Sequence, residues 1–410
     1  MRGLYTEKVV SGKIPFGQLV SEILDAGTGE SVSSQIRETA QGSESNVRAA
    51  EACGQSPESN VPAVEARGQS PESNVPAAEA CGQSPESNVR AAEACGQSPE
   101  SNVPAVEARG QSPEVNALAA ADDLEAECPE VLAEQFCDDG EGEVNQYNVY
   151  KITIREKYYV LKKSDQAEIG IYEHFLKGQG LPVPDYFGSA RWGGKQWILI
   201  EYIPGTDLRE YSSDMAFSCA ESLSRIANRY WQEDEADFIR KRQDDRFERY
   251  WKRINKRAEC LKEEPVLKAA YDIFLERQLT CPRTLSNGDF LQFNAIFRDG
   301  KVTLVDWAFG GIMPYALDIA RMIAHGTENR QTFPFYMTRA HKELFVERTY
   351  ELLEHKPSYE RYLADIRLAV LNEYIEFIES DLLDSSQVRD EVFDYYYAHA
   401  LALAQELRLK

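Results

Sequence analysis

From about residue 40 to residue 116 the chain repeats itself every 14 residues. The unit G-Q-S-P-E-S-N-V-P-A-V-E-A-R begins at Gly54, and near-copies begin at Gly68, Gly82 and Gly96. A degenerate copy ends at Cys53 and a broken one starts at Gly110. A stacked-repeat fold must bury an apolar stripe of each unit against its neighbours. Each unit here offers only one or two valines and a few alanines, punctuated by Gly, Ser-Pro and Asn. Such a composition cannot offset the entropy lost on ordering. The repeats are therefore expected to be disordered, and any fold must come from the sequence around them. Many weak copies in series would suit tethering a protein partner through effective concentration; a recently expanded linker with no task is the other reading.

Composition excludes several classes. The formal net charge is −23, and residues 1–139 alone carry 24 acidic and 8 basic side chains. A nucleic-acid partner demands a basic footprint, so none is expected, and an anionic membrane surface is disfavoured on the same ground. No run of 18 or more apolar residues exists, and the start M-R-G-L-Y-T-E-K-V-V lacks the apolar stretch of a signal peptide. The 8 cysteines form no C-x-x-C pair. They read as free thiols, and the expected location is the cytoplasm.

After the repeats the texture changes. V-Y-K-I-T-I (149–154) and K-Y-Y-V-L-K (157–162) alternate as two strands, with a turn at R-E-K. Residues 164–176 read as a helix capped by Ser164 or Asp165, and L-P-V-P (181–184) breaks it. K-Q-W-I-L-I-E-Y (195–202) is a buried strand, V-T-L-V-D-W (302–307) another, and the chain from about 315 onward reads as helices, including 358–383 and 386–408. Residues 15–24 and 122–136 also have helical spacing. The expected plan is α+β: a possible short helix within 1–39, repeats over 40–116, a linker or helix over 117–140, a small β-rich lobe over 141–203 and a larger helical lobe over 204–410.

The chemistry is concentrated in L-S-N-G-D-F-L-Q-F-N-A-I-F-R-D-G-K-V-T-L-V-D-W (285–307). Asp289 stands in a loop, Asn294 follows five residues later, and Asp306 closes a strand twelve residues after that. Phosphoryl transfer needs a carboxylate to orient and deprotonate the attacking hydroxyl, and hard oxygen ligands for the Mg²⁺ that bridges nucleotide phosphates. D-x-x-x-x-N followed by a strand ending in Asp supplies base, metal ligand and metal ligand in the order kinases use. No G-x-S-x-G, Walker loop or histidine metal spacing competes with this reading.

The stretch resembles the H-G-D-x-x-x-x-N … I-D-W/F motif of the aminoglycoside phosphotransferase and choline kinase superfamily. G-G-I-M-P-Y-A-L-D-I-A-R (310–321) is similar to that family's G-x-P-x-x-D-L-A segment. The resemblance covers about residues 141–325. It implies a bilobal, protein-kinase-like fold and a small-molecule O-phosphotransferase that uses Mg²⁺ and ATP or GTP. It makes Asp289 the catalytic base, Asn294 and Asp306 the metal ligands, and Asp318 a structural anchor. One departure stands out: the family's first motif residue is His, and here it is Asn287. Asn both donates and accepts, so it can brace the loop as the His does. A catalytically impaired, nucleotide-binding protein is the alternative this change raises.

The resemblance also assigns the small lobe. Lys162 would hold phosphates, with Lys163 as fallback, and Glu168 would pair with it, with Glu173 as second choice. The phosphate-covering loop would lie near 140–150, with Asn148 before the V-Y strand, and Glu201 to Ile203 would form the hinge that holds the purine. W-Q-E-D-E-A-D-F (231–238), Glu373 and Tyr395 to Tyr397 are candidates for contact with a cationic substrate, either aminoglycoside-like or choline and other amino alcohols.

Overall fold

The computed structural model describes residues 5–8, 16–28, 131–139, 144–231, 246–330, 335–383 and 389–408. The expectations for the repeats, for 117–130 and for the loop at 140–143 lie outside the described residues.

The small lobe is a six-stranded antiparallel sheet in the order β1-β2-β3-β4-β6-β5. Its strands are β1 (Tyr5–Lys8), β2 (Val131–Asp139), β3 (Val144–Ile154), β4 (Lys157–Ser164), β5 (Tyr186–Trp192) and β6 (Lys195–Glu201). The β3–β4 hairpin turns through Arg155 and Glu156, both with positive φ. Helix α1 (Phe16–Thr28) lies on one sheet face. Its buried residues Phe16, Leu19, Val20 and Ile23 recur at helical spacing and pack on Tyr150, Ile152, Leu161, Trp197 and Leu199. Gly188 on β5 lets α1 approach, since a Cβ there would stand 3.0 Å from both the backbone oxygen and the Cγ2 of Ile23.

β6 explains why W-I-L-I reads as a continuous apolar run. Trp197 and Leu199 face the α1 cluster, while Ile198 and Ile200 belong to the main core. On that second side lies α2 (Gln166–Ile171), extended by one π turn, Tyr172–Leu176. Asp165 caps it, its side chain accepting from the Glu168 amide.

Two expectations are corrected here. Residues 131–136, expected within a helix, form most of strand β2. Helical spacing is a local signal, whereas β2 is fixed by pairing with β1 on one side and β3 on the other, with Ala133 turned into the α1 cluster. The expected lobe boundary at 141 also falls inside the sheet, which draws strands from 5–8 and 131–139. Residues 16–28 are part of this lobe rather than a separate segment.

The larger lobe is helical: α3 (Ser213–Tyr230), α4 (Arg246–Arg257), α5 (Pro265–Gln278), α6 (Ala316–Ala324), α7 (Arg339–Leu352), α8 (Tyr359–Leu383) and α9 (Glu391–Arg408). Small strand pairings join them. β7 (Thr206–Asp207) pairs with β9 (Ala295–Arg298), and β9 with β10 (Lys301–Leu304). β8 (Arg283–Ser286) pairs antiparallel with β11 (Gly311–Pro314). These short pairings hold the loops that carry Asp289, Asn294 and Asp306.

Candidate active site

The loop Asn287–Asn294 leaves β8, and the chain returns beside it as β11, with Gly311 opposite Ser286. That return brings the first turn of α6 beneath the loop. Asp318, 3% exposed, accepts from Ser286 Oγ at 2.7 Å, from the Asn287 amide at 2.8 Å and from the Gly288 amide at 3.1 Å. Burial pushes its carboxyl up and these three donors oppose that push. Gly288 has φ +79°, and a Cβ there would fall 2.1 Å from the Phe309 carbonyl oxygen, so only glycine fits.

Asn287 is fully buried and braces the loop. Its Nδ2 donates to the carbonyls of Val305 at 3.1 Å and Asp306 at 3.0 Å, and its Oδ1 accepts from the Asp289 amide at 3.3 Å. One side chain thus ties the Asp289 loop to the Asp306 segment. Asn294 Nδ2 donates to the Asp289 carbonyl at 2.7 Å and to Asp289 Oδ2 at 3.0 Å.

Across the cleft, Lys162 Nζ lies 2.8 Å from Glu168 Oε1 and 2.7 Å from Asp306 Oδ1. Ser164 Oγ donates to Glu168 Oε2 at 2.7 Å. Burial pulls the Lys162 ammonium down, but the Asp306 and Glu168 carboxylates outweigh it and hold its pKa above the usual lysine value. Lys163 pairs with Trp197 and so falls on the opposite sheet face. Glu173 accepts from the Tyr186 hydroxyl at 3.0 Å and has no part in the lysine pair. Asp306 has φ +55°, a backbone state Asp tolerates better than most residues.

The donor set suits Mg²⁺. Asn294 spends its Nδ2 on Asp289, which leaves its Oδ1 as an acceptor. Asp306 engages Lys162 through Oδ1 and keeps Oδ2 for another partner. Mg²⁺ is commonly held by one or two protein oxygens plus substrate phosphates. No group of three His, Cys, Asp or Glu able to hold a metal occurs among the described residues.

Not every expected residue joins this group. Glu201 ends β6 and Ile203 follows at the crossing between lobes, where Gly205 packs tightly on Phe297 of β9. Asn148 is exposed and, by strand alternation, shares the face of Tyr150 and Ile152, not that of Val149 and Lys162. Glu373, a candidate for substrate contact, is instead buried against Arg321 and His325. Tyr396 is buried and Tyr397 bonds Glu264. Trp231 packs on Tyr315, and 232–238 lie outside the described residues.

One residue the motifs did not single out touches the centre. Arg321 donates to Asp289 Oδ1 from Nε at 3.1 Å and from Nη2 at 2.8 Å. It stands three residues after Asp318 on α6, and that spacing, which puts both on one helix face, was the signal available.

The model of the APH phosphotransferase enzyme family matches residues 144–353. No curated protein matches the chain. Among solved structures, an aminoglycoside phosphotransferase from Alicyclobacillus acidocaldarius is 14% identical, with 63% of this chain and 88% of that one covered and a TM-score of 0.45. An ethanolamine kinase from Plasmodium vivax is 14% identical, with 63% and 78% covered and a TM-score of 0.43. A choline kinase from Cryptosporidium parvum is 12% identical, with 68% and 89% covered and a TM-score of 0.43.

Proposed function

Since the chain belongs to the APH phosphotransferase enzyme family, we propose that it moves the γ-phosphate of ATP or GTP to a hydroxyl of a small molecule. The observation that carries this reading is the convergence of Asp289, Asn294 and Asp306 on one side of the cleft with the Lys162–Glu168 pair on the other. Asp289 orients the acceptor hydroxyl and takes its proton as the oxygen bonds the γ-phosphorus and the bond to the β-phosphate oxygen breaks. Lys162, fixed by Glu168, holds the phosphates. Asn294 and Asp306 would hold Mg²⁺, which when bound neutralises the charge spread over the transferred group. Glu201 to Ile203 would seat the purine, with Asn148 near the phosphate-covering turn.

The bracing bonds of Asn287 favour an active enzyme over an impaired one, because the bracing expected of the family His is supplied by Asn287. We assign the acceptor to amino-containing molecules, with aminoglycosides and amino alcohols as the two classes to separate. A cytoplasmic location and a tethering task for the repeats complete the reading.

The test is transfer of labelled γ-phosphate from Mg²⁺·ATP and Mg²⁺·GTP to a panel of aminoglycosides, choline, ethanolamine and related amino alcohols. Transfer to one class is expected. In the Asp289→Ala variant it should fall by about 10²–10⁴, while thermal stabilisation by Mg²⁺·nucleotide is retained. A variant with wild-type turnover sinks the assignment.

A further inference from the structure

Behind the candidate base runs an unbroken line of polar contacts that the reaction itself does not require. The guanidinium of Arg321 forks. Nε and Nη2 donate to Asp289 Oδ1, while Nη1 donates to Glu373 Oε2 at 2.7 Å. His325 Nε2 lies 3.2 Å from the same Glu373 oxygen, and His325 Nδ1 lies 2.9 Å from the Tyr396 hydroxyl. The carboxylate can only accept, so Nε2 must carry the imidazole proton. Burial holds the imidazole below its usual 6.5, so near pH 7 the ring is neutral and Nδ1 is left to accept from the Tyr396 hydroxyl. The line runs from Tyr396 on α9 to His325 at the C-terminal end of α6, across to Glu373 on α8, back to Arg321 on α6, and ends on the Asp289 loop.

We infer that Arg321 is a positioning residue for Asp289, aimed by Glu373, with His325 and Tyr396 holding Glu373 in turn. The argument is geometric. Asp289 sits on a loop whose backbone is fixed by Asp318 and Asn287, yet its side chain retains two free torsions. Asn294 fixes Oδ2 and Arg321 fixes Oδ1, so both rotations are removed before substrate arrives. A guanidinium can do this only if its own plane is held, and Nη1 to Glu373 holds it. The Arg321 and Asp289 side chains are both 19% exposed, so the pair is largely shielded from water yet within reach of an acceptor. This inference rests on the proposed role of Asp289.

The experiment uses the full chain and follows γ-phosphate loss from Mg²⁺·ATP to whichever acceptor supports wild-type turnover, water included. Asp289→Asn is the reference. If it keeps turnover, the reading of Asp289 fails, and the inference falls with it. If it loses turnover, Arg321→Met should lose at least tenfold in kcat with the KM for Mg²⁺·ATP within twofold of wild type. Arg321→Met also strands Glu373 as a buried charge, so lost activity could reflect lost stability. The pair Arg321→Met with Glu373→Gln removes that charge and should restore much of the melting temperature while leaving kcat low. Guanidinium at millimolar concentration should raise kcat of Arg321→Ala and not of Asp289→Asn. A double variant that regains wild-type kcat along with its melting temperature overturns the inference and leaves Arg321 a structural ion pair.

Discussion

The Asn287–Asn294 loop and helix α1 are both clamped onto the body of the protein, but by opposite forces. The loop is held by directed polar bonds: three to Asp318, three through Asn287, and one glycine that admits no Cβ. Helix α1 packs by shape and apolar area, through Phe16, Leu19, Val20 and Ile23 against the back of the sheet. The difference teaches where each region is vulnerable. A directed network fails when one donor moves, and what it loses first is geometry. An apolar seam tolerates small shifts, and what it loses is stability.

The sharpest way to break the comparison is to remove α1. Each fully buried apolar side chain is worth about 1.5–3 kcal/mol, an upper bound because unfolded chains are already partly compact. Deleting residues 1–29 is therefore expected to cost on the order of 5–10 kcal/mol, comparable to the whole stability of a domain. It should unfold the small lobe and abolish the thermal shift with Mg²⁺·nucleotide. Excising 40–116 alone should leave both intact, because every strand and helix of the sheet remains. A chain starting at Ala121 that melts and binds nucleotide like the full chain would falsify this account of α1.

Two glycines sharpen it further. At Gly288 an added Cβ meets the Phe309 carbonyl at 2.1 Å with φ at +79°. Gly288→Ala should displace the base, and misplacement by about 1 Å costs roughly 10²-fold in turnover. At Gly188 the added atom meets Ile23 at 3.0 Å. Gly188→Val should overpack the seam by about 1–3 kcal/mol and leave kcat within twofold on the protein that remains folded. Paired with Ile23→Ala, which makes room, Gly188→Val should cost less than it does alone. If it costs the same in both backgrounds, α1 is not what Gly188 accommodates.

The same contrast decides what could be read from the sequence. Asp289, Asn294 and Asp306 stand out as candidates because three polar groups at this spacing, beside apolar strands, suit few chemistries besides phosphoryl transfer. Lys162 could be chosen over Lys163 because alternation within a strand is a local rule. The pairing of β1 with β2 was not legible, since it joins Tyr5 to Cys137 across the repeats and no local pattern records it. Helical spacing over 131–136 misleads for the same reason, since the pairing of β2 with β1 and β3 is not a local pattern. Arg321 lay in a stretch already quoted, but its partners Asp289 and Glu373 sit 32 residues before and 52 residues after it. Only the fold brings them together.

The smallest effect concerns pH, and it separates the two regions cleanly. Burial pulls the His325 imidazole below its usual 6.5, with the nearby Arg321 charge adding to that and Glu373 opposing it. The unfolded chain takes up this proton near pH 6.5 and the folded chain resists it. His325 therefore adds stability above pH 6.5 that is lost as the pH falls below it. Burial pushes Glu373 up, but Arg321 and His325 outweigh it and bring its carboxyl down to about 2. Its contribution is present above pH 4.5 and is lost only as the pH falls toward 2. Between pH 7 and pH 5, then, His325 titrates and Glu373 does not. One proton changes stability by at most about 1.4 kcal/mol per pH unit. The destabilisation caused by His325→Gln, measured by denaturant unfolding, should shrink by about 1 kcal/mol from pH 7 to pH 5. The destabilisation caused by Ile23→Ala, among the apolar side chains of the seam, should stay constant. Equal pH dependence for the two variants would mean that the polar line and the apolar seam do not hold the fold in different ways.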